Sequence, residues 1–514
     1  APDTVRRMPS ASRLRRWGPP LAVTVVVSGL LLLIFPVGFT NYDTIYYLLW
    51  GKQIALGSSP DYSPPLVPTP HPLYDLLGAV TTPLGDGSIT VAVVIAYISL
   101  GLLAWLVYRL GKIFFDRPVG ALAAVFIMTA APILSTGLRA YIDIPFMVMC
   151  LTALLIEARR PRAGLPVLAI LVPAGLLRPE AWLFSIAYFL WLAFELEPRP
   201  GTRIPTVKLR QGGIDRELVG LAVLAISAPL IWFLFDFVTA GNPLQSFTGT
   251  RDNVETLDRA TGPIDVVLYG PRRLGEVLQW PGMVGALAGI LLTLKLMPRR
   301  AVGLAVAAAL ALAAFALLGA AGLAIISRYT MLGASILSIF SAAAILGWRL
   351  LERGDPWRRR WQFIAGFVVV LYLVWLPNQI NLLKTVDRDL SNQGLVERDL
   401  KALVDDGSFD AATADPPCLP VSVPNHRAVP RLAFWLDLEP AEVVSIATQS
   451  QPESGLFLAP AREFTLHNFI LDPGEPGRAT TKPPPGFELT SENRSWKVYS
   501  SCDGAAKDNT PIEP

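Results

Sequence analysis

Membrane-length apolar runs recur roughly every 30 residues through the first three quarters of this chain, and that periodicity limits the fold to a polytopic helical membrane protein. In hydrocarbon every backbone N–H and C=O must be bonded within the chain, so long apolar runs of this kind are read as helices. Composition agrees: 52% of residues are hydrophobic and 17% charged, against about 25% charged in a soluble domain. The candidate spans are Pro20–Phe39, Ser88–Leu110, Val119–Leu134, Ala140–Ile156, Gly164–Leu177, Ala181–Glu195, Leu218–Val238, Gly282–Leu296, Ala301–Ile326, Tyr329–Leu350 and Trp361–Leu376. These segments predict about 11 transmembrane helices. The first is expected to be retained, because no small-residue cleavage site follows it. Residues 381–503 are polar and Pro-rich and are expected to form a soluble α/β domain, with a basic tail at 1–19, the membrane domain at 20–380 and a disordered tail at 504–514.

Lys and Arg cluster in alternate loops, as in Arg159/Arg160/Arg162 and Arg358/Arg359/Arg360. Basic loops stay in the cytoplasm, so the N-terminus is expected inside and the C-terminal domain outside a bacterial plasma membrane. The unusual polar residues then share the outer side. Asp43 and His71 lie in the first outer loop, Arg139, Tyr141 and Asp143 before the fourth span, Arg178 and Glu180 between the fifth and sixth, and Arg328 and Tyr329 between the ninth and tenth. Ionisable groups at span ends are costly unless paired or facing water, so their gathering on one side predicts a polar cavity. Gly164–Leu177 spans roughly 21 Å at ~1.5 Å per residue, short of a hydrocarbon core about 30 Å thick, which would sink Arg178 and Glu180 below the surface.

Asp43 opens a run with Tyr46, Trp50 and Lys52 that reads as an interfacial amphipathic helix. It serves either as that helix's N-cap or as a partly desolvated base for a hydroxyl. Arg139, Arg178 and Arg328 suit a bound phosphate, since guanidinium is always charged and binds oxyanions in two-pronged fashion. The alternative is pairing with Asp143 and Glu180. His71 stands between Pro70 and Pro72, which hold its backbone, and could orient a substrate or bind a metal. Tyr46, His71, Tyr141, Asp143, Glu180 and Tyr329 are expected to support the site or the acceptor. A His-rich metal site is excluded in the membrane region; a carboxylate-led divalent site stays open. Cys418 and Cys502 are expected to form a disulfide outside the cell, and Cys150 to be inert packing. No Gly-rich phosphate loop and no G-x-S-x-G elbow occurs, and no inverted repeat aligns.

Three local patterns together resemble the GT-C class of membrane glycosyltransferases. They are Asn41-Tyr42-Asp43 just after the first span, Arg139-Ala140-Tyr141-Ile142-Asp143-Ile144-Pro145, and Arg178-Pro179-Glu180 after a short apolar run. The second is similar to a segment of the protein-mannosyltransferase and aminoarabinose-transferase branch. The third is similar to the Arg-Pro-Glu of actinobacterial arabinofuranosyl- and mannosyltransferases. The resemblance covers residues 20–380. It implies a polyprenyl-phosphate sugar as donor, a cell-envelope glycan, lipid or protein as acceptor, Asp43 as general base and inversion at the anomeric carbon. It implies no nucleic-acid partner and no certain cofactor. This sequence has a single acid where some members carry a pair, and a Pro-rich first loop. A transporter or lipid flippase is the rival reading; it predicts pathway charges on both sides of the membrane.

Overall fold

The computed structural model describes residues 10–197, 206–209, 213, 215–470 and 481–502. The expected tail at 504–514 and most of the basic tail at 1–19 lie outside the described residues or have side chains that are not described. The helical part runs α1 (Ser10–Ile34), α2 (Tyr42–Ala55), α3 (Pro72–Thr81), α4 (Gly87–Phe114), α5 (Arg117–Met128), α6 (Ala131–Leu138), α7 (Asp143–Arg159), α8 (Leu165–Leu177) and α9 (Glu180–Ala193). An antiparallel pair, β1 (Phe194–Glu197) and β2 (Thr206–Leu209), follows. Then come α10 (Arg216–Ala240), α11 (Gln245–Thr256), α12 (Pro263–Leu296), α13 (Pro298–Ala320), α14 (Met331–Leu346) and α15 (Pro356–Asp405).

Among the described residues six helices are long and apolar enough to cross a membrane, or seven if the α5–α6 pair, bent by 63°, is one span. This is a multi-pass membrane protein. The eleven expected segments each overlap helix, but the structure does not establish eleven spans: Val119–Leu134 is divided between α5 and α6, and α8 and α9 are among the shorter apolar helices, with 13 and 14 residues. Two boundaries differ most, each for a clear reason. Helix α12 starts at Pro263, well before the expected Gly282, because Asp265, Arg272, Arg273 and Glu276 in its first half hide it from a hydropathy reading. Its halves meet at Gln279, where φ is 57°, just before Pro281. Helix α15 runs unbroken for 50 residues, through Pro377, so the expected domain boundary at 380–381 falls inside one helix. Its first half has a membrane-spanning composition, and its second half carries the C-terminal domain.

Helix α2 departs most from expectation. Ile45, Tyr46, Tyr47, Leu48, Leu49 and Trp50 are all buried, so it does not lie on the membrane surface with one face in lipid. Its far side is covered by α3 and by the C-terminal domain. A Cβ on Gly51 would collide with the Asp75 carbonyl and the Ala79 nitrogen of α3, so this crossing needs glycine. Gly51→Ala should therefore cost about 1–3 kcal/mol through overpacking, read as a lowered Tm of the purified protein; an unchanged Tm would show that the two helices can separate freely.

The C-terminal domain is a five-stranded sheet of order β4-β3-β5-β7-β6. The strands are β3 (Val421–Val423), β4 (Val443–Ser445), β5 (Gly455–Pro460), β6 (Glu488–Glu492) and β7 (Trp496–Ser501), with α16 (Val429–Leu436) packed beside them. β3 pairs in parallel with β4 and β5, and β7 is antiparallel to β5 and β6. Phe464–Ile470, whose Phe464/Leu466 alternation reads as a strand, is helical instead. Phe469, five residues after Phe464, packs on the Trp496 ring at 5.5 Å, a spacing that a wide helical turn provides. Cys418 and Cys502 are joined in a disulfide, Cα atoms 5.8 Å apart, closing a loop of 84 residues. Cross-linking a loop that long restricts the unfolded chain by about 4–5 kcal/mol in the chain-entropy picture. Reduction should lower the unfolding midpoint of this domain, and a midpoint indifferent to reductant would remove that contribution.

Candidate active site

The site is built where three connecting segments meet the start of α2. Asn41 caps that helix, its Oδ1 accepting from the Thr44 N–H at 3.1 Å. The cap is therefore Asn41, and Asp43 sits free of that duty in the first turn. Asn41 also donates, from backbone N and from Nδ2, to the Arg139 carbonyl at 2.9 Å. Thr44 donates to the Ala140 carbonyl at 2.8 Å, and Ala140 adopts a left-handed φ of 54° to present it. The Arg139–Asp143 segment is thus fastened by its backbone to the turn bearing Asp43, which leaves its side chains for the cavity.

That cavity has a volume of about 1050 Å³. Of the residues singled out from sequence, Asp43, His71, Arg139, Tyr141, Asp143, Arg178, Glu180, Arg328 and Tyr329 all line it. Tyr46 does not. It is fully buried inside α2's packing, edge-on to Tyr42 at 5.0 Å, because the helix is covered on both sides.

The three arginines have unlike partners. Arg328 donates from Nη1 to Oδ2 of Asp43 at 3.0 Å and lies over the Tyr141 ring at 5.2 Å. Arg178 bridges two carboxylates: it ion-pairs with Asp143, and its Nη2 and Nε donate to Oε1 of Glu180 at 2.6 and 3.0 Å. Tyr329 covers it, ring centroid 4.3 Å away. Arg139 donates from Nε to Gln393 Oε1 at 2.9 Å and from Nη1 to the Ser135 hydroxyl. Among the described residues no carboxylate forms an ion pair with it. Pairing with Asp143 and Glu180 therefore holds for Arg178 alone.

His71 is wedged between the rings of Tyr47 and Trp232, edge-on to each at 5.1 and 5.3 Å. Burial, and the positive charges of Arg178 and Arg328, hold its imidazole well below the usual range, so it is neutral at physiological pH. Among the described residues no group of three or more His, Cys, Asp or Glu side chains is placed to hold a metal ion.

No protein-family model matches this sequence, and no curated protein matches it. Solved structures do. ArnT from Cupriavidus metallidurans bound to undecaprenyl phosphate superposes with a TM-score of 0.52 at 13% identity, over 96% of this chain and 99% of that one. The same protein in its apo state gives 0.50 at 13% identity, over 96% and 98%. The chain has the GT-C fold.

In this GT-C chain the cavity gathers more cations than the sequence disclosed. Arg259 and Arg273 reach it from the segment around the start of α12, Arg388 from α15, Arg427 from the turn before α16 and Arg431 from α16 itself. His426 and His467 of the C-terminal domain also line it. For Arg259 and Arg273 a signal was present: they are basic residues in loops assigned to the poorly basic side. For the others there was none, because only the docking of the C-terminal domain brings them in. That docking is specific. Arg431 is buried, donates to Glu397 of α15 at 2.9 Å and bonds the Thr40 carbonyl just ahead of α2. At the far end of α2, Lys52 pairs with Asp437 at 2.7 Å and Gln53 bonds Glu439. The backbone N–H of Ala441 donates to Asp61 at 2.8 Å. The helix carrying Asp43 is therefore held at both ends by the C-terminal domain.

Proposed function

We propose that this protein is a membrane glycosyltransferase that moves a sugar from a polyprenyl-phosphate donor to a glycan, lipid or protein acceptor on the extracytoplasmic side. The observation that carries this reading is one cavity holding Asp43, an aspartate that does not cap its helix, among arginines from separate segments. ArnT, which shares the fold, binds undecaprenyl phosphate. A flippase would need charged groups along a path through the membrane, whereas here they converge at one cavity beside the C-terminal domain.

In this mechanism the Asp43 carboxylate takes the proton of an acceptor hydroxyl. Oδ2 is engaged by Arg328, and Oδ1 accepts no hydrogen bond from the described residues, so Oδ1 is the proton acceptor. The acceptor oxygen forms a bond to the anomeric carbon as the bond from that carbon to the phosphate oxygen breaks. The lipid phosphate leaves with the electron pair, and the configuration inverts. Arg139 is the leading phosphate ligand because it brings charge without a carboxylate partner. A guanidinium aimed at charge that grows during bond cleavage stabilises the transition state more than the ground state. Neutral His71 and Tyr141 supply polar contacts for sugar or acceptor hydroxyls. The test is incubation of the purified chain with a panel of polyprenyl-phosphate sugars; release or transfer of at least one sugar is expected, and inertness to all of them would defeat the reading.

A further inference from the structure

Arg431 lines the cavity from α16, yet it is only 3% exposed and its Nη2 is engaged by the protein itself. That nitrogen donates to Oε2 of Glu397, on the second half of α15, at 2.9 Å, and to the Thr40 carbonyl at 2.5 Å. It carries two hydrogens and meets two acceptors, so it is committed before any ligand arrives. Thr40 is fully buried, in the segment that joins α1 to α2. Its neighbours Phe39 and Asn41 give their backbone N–H groups to the carbonyls of Leu138 and Arg139. Arg431 thus supplies the donor for the buried carbonyl immediately before the cap of α2. On the other side of that cap, the Arg139 carbonyl accepts from Asn41, and the Arg139 side chain donates to Gln393 at 2.9 Å. Gln393 and Glu397 are four residues apart on α15 and so share one helix face. The bonds close a ring: Glu397 to Arg431, Arg431 to Thr40 and Asn41, Asn41 to Arg139, Arg139 to Gln393, and back along one turn of α15. Asp43 stands two residues beyond Asn41.

We propose that Arg431 is a positioning residue for sugar transfer: through the Thr40 carbonyl it fixes the entry into α2, and with it Asp43, so that the C-terminal domain completes the active site without touching the reacting atoms. The inference rests on the reading of Asp43 as general base and adds to it a residue from a domain that the sequence patterns leave out. A base works only within hydrogen-bond reach of the proton it takes, and a misplacement of about 1 Å costs on the order of 10²-fold in rate. The Asn41 cap orders the first turn of α2 within itself. The ring does something further: it ties that turn to α15, whose Gln393 lines the same cavity. The remaining grips of the C-terminal domain on α2, Lys52 with Asp437 and Gln53 with Glu439, lie more than two helical turns from Asp43 and hold the other end. For stability alone an apolar pair of similar size would serve as well as a buried Arg–Glu pair; what it would lack is a donor for the Thr40 carbonyl.

The experiment uses the full chain in detergent micelles, with the polyprenyl-phosphate sugar that reacts in the donor panel. The double variant Arg431→Met, Glu397→Gln removes the donor to Thr40 and leaves no orphaned charge behind. Its kcat should fall by about tenfold or more, with affinity for the polyprenyl phosphate within a few fold of wild type. Arg431→Lys should fall between wild type and the double variant, since lysine keeps a charged donor and loses the planar spread. The deciding comparison repeats the double variant in an Asp43→Asn background. If Arg431 acts by placing Asp43, the residual transfer of Asp43→Asn should not fall further; a merely structural loss would multiply in both backgrounds alike. A wild-type kcat in the double variant, or an equal fold-loss in the two backgrounds, would overturn the assignment and leave the glycosyltransferase reading standing. Where the double variant does not fold, Arg431→Lys takes its place in both backgrounds, and a wild-type kcat there overturns the assignment in the same way. A wild-type chain that transfers sugar from no donor would instead defeat the reading on which the inference rests.

Discussion

Asp43→Asn should reduce sugar transfer by about 10²–10⁴-fold, the usual worth of a positioned general base, and leave the protein folded. The substitution keeps the shape of the side chain. Its carbonyl oxygen can still accept from Arg328, the bond now seen at 3.0 Å to Oδ2, so the first turn of α2 stays in place. The cap of that helix is Asn41, which the change does not touch. What is lost is the proton acceptor, so the effect should fall on kcat and leave polyprenyl-phosphate affinity within a few fold of wild type. Transfer at a near-normal rate would remove Asp43 from the chemistry. A fall in lipid-phosphate affinity as large as the fall in rate would instead recast it as a binding residue. Either result is readable only beside an unchanged unfolding temperature.

The parts of this molecule that could be read from sequence are those set by local rules. Apolar runs gave the helices, because a backbone in hydrocarbon has few alternatives. Asp43, Arg139, Arg178 and Arg328 stood out because charge at a span end is costly without a reason. What stayed hidden depends on contacts distant in sequence. The burial of Tyr46 and Trp50 follows from α16 and α3 covering α2, which no pattern within α2 announces. Arg427, Arg431, His426 and His467 enter the cavity only because α15 continues past Leu376 without a break and delivers the sheet domain onto the start of α2. A polar stretch after an apolar one reads as a linker, and here the helix simply leaves the apolar part and continues. The Phe464–Ile470 segment is helical for a related reason: packing on Trp496 decides it, over an ambiguous local alternation.

Arg178→Ala should have its largest effect on stability. Arg178, Asp143 and Glu180 are respectively 6%, 2% and 5% exposed, so three charges sit almost out of water and depend on each other. Removing the guanidinium leaves two carboxylates buried without their counter-charge. Breaking a buried ion pair from one side costs about 3–5 kcal/mol, because the partner's desolvation is no longer offset. The expected result is a large fall in unfolding temperature and a small folded fraction, with the surviving folded protein binding polyprenyl phosphate nearly as well as wild type. The triple variant Arg178→Ala, Asp143→Asn, Glu180→Gln removes the orphaned charges together and should regain much of the lost stability. These outcomes separate two roles for an arginine that lines the cavity. If the single variant were as stable as wild type and its lipid-phosphate affinity fell by more than about tenfold, a loss of some 1.4 kcal/mol, Arg178 would be a phosphate ligand in its own right. If stability collapses and the triple variant restores it, Arg178 is the strut that holds Asp143 and Glu180 at the cavity wall, and the phosphate role passes to other cavity arginines such as Arg139, with which no carboxylate among the described residues forms an ion pair.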